Sequence, residues 1–309
     1  MRKLKLQNTS YKKLLLSFKD WLDILGYAES TVYYLPNHLQ EFFYWLECNG
    51  HTDINHITTQ DVTNYYKALQ ERSNQHNDGA LSKSYLNKHQ QALKKFREYL
   101  QSHNHKGINI HLKFETSPTE EKIHILSQSQ IKQLFTATNY SHDKQSFRLR
   151  DKAILTILYS CGLRRNEAVH LDISDVLFDK ERIYVRKGKN YKERFVPINK
   201  YNLRILEDYI YEARPEFNIK NNTEALLLNH HGTRLLGTSL SNRLQVIINT
   251  TDDRNIIEKQ ITLHTLRHSI ATNLLQKDVP LESIKSFLGH SSLESTQVYT
   301  HIIKSLDNE

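Results

Sequence analysis

The chain has 309 residues, 38% of them apolar and 25% charged, with 42 Lys/Arg against 34 Asp/Glu for a formal charge of +8. That is enough apolar material for two packed domains and too much for a disordered chain, and the positive balance favours an anionic partner. No apolar run nears the roughly 20 residues that span a bilayer; the basic segment Met1 to Asn8 lacks the apolar stretch of a signal peptide, so a cytoplasmic protein without a membrane partner is expected. Cys48 and Cys161 stand far apart and imply neither a disulfide framework nor a metal site.

Residues 1–105 read as helices only. Tyr11, Leu14, Leu15, Phe18, Trp21, Leu22 and Leu25 recur at helical spacing until Gly26; Val32, Leu35, Leu39, Phe42, Phe43 and Leu46 repeat the pattern until Gly50. Thr58 caps a third helix through Val62, Tyr65, Tyr66 and Leu69. A polar break over 73–79 precedes a fourth, starting at Ser82 and carrying Leu86, His89, Leu93, Phe96 and Leu100. Lys83, Lys88, Lys94, Lys95 and Arg97 crowd this fourth helix against Glu98 alone. A solvated face is the ordinary reading of such a run; a surface that tracks phosphates is the sharper one.

Residues 106–122 show no clear period and read as a linker, with the second domain over 123–309. Ser127 and Gln130 form a capping box for its first helix, and a longer helix from about Arg148 to Tyr159 stops at Gly162. The alternation of Arg182 to Arg186, a turn over 188–191 and the return of Glu193 to Pro197 make a hairpin. Helices follow near 199–213, 238–250, 264–276, 281–288 and 293–301. The fold class is thus mainly α with a small antiparallel sheet: a four-helix N-terminal domain and a mixed, mostly helical second domain.

Four segments of the second domain collect cations and proton carriers. Arg164 stands at the corner that Gly162 makes, with Glu167 three residues on; Lys189 occupies the hairpin turn; His264 and Arg267 are three apart on one helix; and His290 follows Gly289, nine residues before Tyr299. Singly each has a bland reading: a surface Arg with an i,i+3 Glu, a solvated turn lysine, a packed tyrosine. His264 and His268 at i,i+4 raise zinc, but the metalloprotease helix places Glu directly after its first His, where Thr265 stands here. Together, two Arg, two His, one Lys and one Tyr suit attack on a phosphodiester. Fixed cations stabilise the charge that gathers on the nonbridging oxygens, and a tyrosine with a pKa of about 10 needs them to act as a nucleophile. No Asp/Glu cluster offers a two-metal site, so no metal or other cofactor is expected.

At these segments the chain resembles the tyrosine recombinase (phage integrase) family, over about residues 123–301. The resemblance is carried by Tyr159-Ser160-Cys161-Gly162-Leu163-Arg164, by Lys187-Gly188-Lys189-Asn190-Tyr191-Lys192-Glu193-Arg194-Phe195-Val196-Pro197-Ile198, by His264-Thr265-Leu266-Arg267-His268-Ser269, by Leu288-Gly289-His290 and by Tyr299. The order Arg, Lys, His-x-x-Arg, His, Tyr matches, as do the 23 residues from Arg267 to His290 and the nine from His290 to Tyr299. The N-terminal helices resemble the family's core-binding domain by pattern.

The resemblance implies a site-specific recombinase that cleaves and rejoins DNA through a 3′-phosphotyrosine, for integration, excision, inversion or dimer resolution. Tyr299 would be the nucleophile, Arg164 and Arg267 phosphate ligands, His264 and His290 donors to its oxygens, His264 also a base, Lys189 the general acid and Glu167 a support; His268 is given a packing role. The implied partner is double-stranded DNA with paired recombination sites, bound by a tetramer on synapsed DNA and by a monomer or weak dimer when free. Length and layout look like Xer-type enzymes and simple mobile-element integrases, without an added arm-binding domain. Ten residues follow Tyr299, fewer than a full terminal helix donated to a neighbouring subunit needs. Two alternatives stand beside this reading. A type IB topoisomerase would relax plasmid lacking a target site, although the two-domain layout and the spacing argue against it. A DNA-binding regulator with a dead site would form no covalent adduct, although all six catalytic positions are filled.

Overall fold

Aromatic residues at helical spacing build the first of two compact units, Met1–Glu120 and Glu121–Glu309. The structure, a computed structural model, describes residues 4–27, 29–74, 79–105, 107–115, 124–186, 193–218, 223–289 and 296. In the first unit lie α1 (Thr9–Ile24), α2 (Glu29–Cys48), α3 (Thr59–Glu71) and α4 (Lys83–Ser102). The Asn8 side chain accepts from the Ser10 and Tyr11 amides, Thr58 and Asp61 form a capping box, and the Ser82 side chain accepts from the Tyr85 amide. These caps satisfy amides that would otherwise lack partners at the helix starts. Tyr11, Phe18, Leu39, Phe42, Phe43, Leu46 and Phe96 are fully buried, and Phe18 meets Phe96 and Tyr99 edge-on.

The expected linker begins later than its composition suggested. Ile108 and Ile110 are buried in the first core. Glu115 accepts hydrogen bonds from the Tyr66 hydroxyl (3.0 Å) and Gln70 (2.8 Å), and its main chain exchanges two bonds with the Asn87 side chain. Residues 107–115 therefore form an arm tied to α3 and α4. Its signal was the period-two pattern Ile108, Ile110, Leu112.

A polar cluster is sealed inside this unit. His38, Glu41 and His89 are buried, Arg72 pairs with Glu41, and Tyr65 Oη lies 2.9 Å from His89 Nδ1. Burial, then Lys88, pulls the His38 pKa from 6.5 down to about 4. Burial, then His38 and Arg72, pulls His89 down to about 2.

In the second unit α5 (Gln128–Ala137) and α6 (Gln145–Leu155) lead into a π-helical turn, Thr156–Ser160, and then α7 (Arg165–His170). Strands β1 (Val176–Leu177), β2 (Arg182–Val185) and β3 (Arg194–Pro197) pair antiparallel in the order β1-β2-β3, with Ile183 opposite Val196 and Tyr184 opposite Phe195. Ile183, Val185 and Val196 face the core, while Phe195 faces out. Beyond the hairpin foreseen in the sequence, the two-residue β1 extends the sheet. The helix expected near 199–213 is α8 (Lys200–Asp208) and a second π-helical turn, Tyr209–Ala213, continued by α9 (Arg214–Phe217). After it come α10 (Gly237–Thr250), α11 (Arg254–Ile257), α12 (Leu263–Leu275) and α13 (Leu281–Leu288).

Ile154, Leu158, Leu206, Leu226, Leu240 and Leu266 centre the main core of this unit, and Ala271, Ile284 and Leu288 form a smaller one between α12 and α13. The hairpin turn and the helix expected near 293–301 lie outside the described residues, apart from the buried Thr296. Among the described residues no helix is long and apolar enough to cross a membrane.

The histidine pair makes the first unit acid-sensitive. Each ring is neutral in the fold but protonates in the unfolded chain below its ordinary pKa of 6.5. The unfolded state then binds more protons, so stability is full above that pH and falls as the pH drops toward the folded values. Trp21 and Trp45 are the chain's two tryptophans, so intrinsic fluorescence reports this unit. Its urea midpoint should fall between pH 7 and pH 5 by an amount worth about 2 kcal/mol or more. A level midpoint would mean that the rings ionise in place.

Candidate active site

The site begins at a corner in the chain. After the π-helical turn, the Gly162 amide donates to Tyr159 O and Gly162 takes a positive φ of 59°. A Cβ there would stand 2.9 Å from the Phe287 ring. The turn delivers Arg164 to the start of α7, where the Arg164 amide donates to Glu167 Oε2 (2.8 Å) and Arg164 Nη1 to Glu167 Oε1 (3.1 Å).

Three further segments converge on the same place. Arg267, on α12 and 4% exposed, donates from Nη1 to Gly162 O and from Nη2 to Leu288 O, and lies 3.8 Å from Glu167 Oε2. Arg164 Nη1 makes longer contacts to Leu288 O (3.4 Å) and Gly289 O (3.5 Å). The two arginines thus share the Glu167 carboxylate and the Leu288 carbonyl. Gly289 ends α13 with φ 67°, and the chain runs from there directly into His290. From β3, Arg194 Nη1 and Nη2 meet the two Glu167 oxygens at 3.0 and 2.9 Å, and its Nε donates to Phe287 O at 2.9 Å.

Burial pushes the Glu167 pKa up, but the hydrogen bonds and charge of Arg194, the Arg164 amide and the charge of Arg267 outweigh it and hold the carboxyl at about 2. Glu167 is therefore ionised at neutral pH. His264 is exposed at the start of α12; partial desolvation, then Arg267, Arg165 and Arg164, lowers its pKa. The ring is neutral at pH 7 and keeps a lone pair that can accept a proton. The half-buried His268 is lowered by burial, then by His264 and Arg267.

Arg164 and Arg267 are thus held at Glu167, and His264 lies within electrostatic reach of both arginines. Lys189, His290 and Tyr299 lie outside the described residues. Two other nucleophiles near the corner are unsuited to the role. The Tyr159 oxygen accepts from Asn273 at 2.9 Å and burial raises its pKa; the buried Cys161 thiol is pushed up to about 12. Among the described residues no group of three or more His, Cys, Asp and Glu is placed to hold a metal ion.

Two residues escaped the sequence reading. Arg194 was visible only as a motif position with no role attached. Arg165 adds positive charge beside His264. The five basic residues of α4 divide into two groups. At about 100° per residue, Lys83, Lys94 and Arg97 fall along one edge of the buried face and Lys88 and Lys95 along the other. Lys83 and Lys88 are exposed; Lys94 lies 3.8 Å over the Phe114 ring, and Lys95 pairs with Glu98 at 2.5 Å.

The corner leaves no room for a side chain at Gly162. Gly162→Ala combines a left-handed backbone with a clash against Phe287, and should destabilise the second unit by about 2 kcal/mol or more. Urea unfolding followed by circular dichroism measures this. An unchanged midpoint would show that the corner yields without strain.

Known proteins resemble this chain in sequence and in fold. The sequence profile of the phage integrase family matches residues 124–305. Tyrosine recombinase XerC of Oceanobacillus iheyensis is 31% identical over 292 residues, covering 93% of this chain and 91% of the relative. Tyrosine recombinase XerD of Listeria monocytogenes is 30% identical over 282 residues, covering 90% of each. Among solved structures, XerH site-specific recombinase bound to its difH substrate superposes with a TM-score of 0.72 at 20% identity, covering 99% of this chain and 98% of that one. The Tn1549 transposon integrase in complex with transposon right end DNA gives 0.65 at 16% identity, covering 93% and 94%. The chain belongs to the phage integrase family and is a site-specific tyrosine recombinase of the Xer type.

Proposed function

We propose that Tyr299 is the nucleophile of this recombinase and that Arg164 and Arg267 bind the scissile phosphate. The observation that carries the reading is the shared hold of both guanidinia on Glu167 and on Leu288 O, two residues before His290. Two fixed cations at that point are a ready site for the nonbridging oxygens. The Tyr299 oxygen bonds to phosphorus as the bond to the 5′-oxygen breaks. Neutral His264 takes the phenol proton, Lys189 gives one to the leaving oxygen, and His290 donates to a nonbridging oxygen. One phosphodiester is exchanged for another of similar energy, so the reaction needs no ATP, and the cations are side chains, so it needs no metal. The working assembly is a tetramer on two synapsed sites. In the core-binding unit, the exposed Lys83 and Lys88 are assigned to backbone phosphates, with Lys94, Lys95 and Arg97 in support.

A nicked suicide substrate tests the nucleophile. In excess EDTA the unaltered chain should form a covalent adduct, and Tyr299→Phe should form none while still binding DNA. An adduct from Tyr299→Phe would remove Tyr299 from the role, and loss of wild-type activity that magnesium restores would overturn the metal-free chemistry.

Salt dependence tests the α4 assignment. Lys83→Ala with Lys88→Ala should flatten the slope of log K against log salt by about 1 per lysine. Lys95→Ala should change it less, because Glu98 already offsets that charge. An unchanged slope in the double variant would turn both edges of α4 away from DNA.

A further inference from the structure

The side chain of Arg194 is 8% exposed, and each of its three guanidinium nitrogens has a partner: both Glu167 oxygens and Phe287 O. Gly289 lies against it so closely that a Cβ there would stand 2.7 Å from Nη1. Arg194 turns both Nη atoms onto the Glu167 carboxylate at 3.0 and 2.9 Å, whereas the close partners of the Arg267 Nη atoms are neutral carbonyls, so the charge of Arg194 is directed at Glu167 rather than at a phosphate.

Local charge shows what it does instead. Arg164 and Arg267 both lean on Glu167, whose single negative charge would cancel half of what the two arginines present. A phosphodiester carries one negative charge, and the pentacoordinate transition state carries two. A pair of arginines with one charge cancelled matches the ground state; a pair with both charges available matches the transition state, and only that difference speeds the reaction. We infer that Arg194 is a positioning residue and counter-charge: it neutralises Glu167, so that Arg164 and Arg267 keep two uncompensated charges for the phosphate, and it fixes the end of α13 before His290. The inference rests on Arg164 and Arg267 being the phosphate ligands.

Single-turnover cleavage of the suicide substrate by the full chain, with DNA affinity measured alongside, tests it. Arg194→Gln should slow cleavage about 100-fold, the scale of losing one fixed charge-stabilising donor, and shift the Kd less than about threefold. Arg194→Gln combined with Glu167→Gln removes the unbalanced carboxylate and should cleave at least about tenfold faster than Arg194→Gln alone, as restored charge balance requires. A merely structural Arg194 would make the double variant slower still. Arg194→Lys keeps the charge and should stay within about tenfold of wild type; it is the deciding variant if Arg194→Gln melts before the assay temperature, and a larger loss with binding intact would then overturn the inference. Wild-type cleavage by Arg194→Gln, or a double variant no faster than the folded single, also overturns it. Arg164→Ala in the same assay separates the premise: if it cleaves normally, the phosphate-ligand reading fails, whereas if it is inactive and Arg194→Gln is normal, only the role of Arg194 fails.

Discussion

One buried carboxylate under three guanidinia organises the catalytic unit. Glu167 is drawn from the first turn of α7, and its partners come from the Gly162 corner, from β3 and from α12. A lone ionised carboxyl in that position would carry a heavy desolvation cost. Here the guanidinia of Arg194, Arg164 and Arg267 and the Arg164 amide offset it. The arrangement is strongly directional: elements far apart in sequence must meet at one point before any of these charges is tolerable. The same meeting aligns Arg164 with Arg267. Stability of the unit and competence of the site are therefore properties of the same contacts.

The N-terminal unit is built on other physics. Its centre is a lattice of aromatic rings, with Phe18, Phe43, Phe96 and Tyr99 meeting at centroid distances between 5.4 and 5.7 Å. Its buried polar cluster keeps two imidazoles neutral around the Glu41–Arg72 pair. Of its α4 cations, Lys83 and Lys88 are exposed, where they remain hydrated and responsive to salt. The second unit gathers three guanidinia at one buried carboxylate, whereas the first seals a single ion pair and leaves lysines such as Lys83 and Lys88 exposed along α4.

The longer described helices of both units were legible in the sequence because an apolar period of 3.6 residues, bounded by Gly26, Gly50, Gly162 and Gly289, leaves few alternatives, whereas the four-residue α11 was too short to show it. Arg164, His264 and Arg267 were legible as a set only through their order and spacing; nothing local marks any of them. What escaped depends on tertiary context. The arm at Ile108 and Ile110 hides in a polar stretch, and β1 is too short to show a period. Arg194 reads as an ordinary hairpin arginine until α7 and α13 are brought to it. The basic residues of α4 were grouped by number, whereas helical angle assigns them to two edges.

The acceptors that seat Arg164 and Arg267 are largely main-chain carbonyls, those of Gly162, Leu288 and Gly289. A carbonyl is present whatever side chain its residue carries. Sequence drift at Leu288 is thus constrained by apolar packing rather than by polarity, and an exchange of one aliphatic residue for another leaves the arginine seats intact. The constraint falls on backbone path, at the two left-handed glycines. A lineage of such enzymes can change much of its surface and core chemistry while inheriting the site as a shape of the chain.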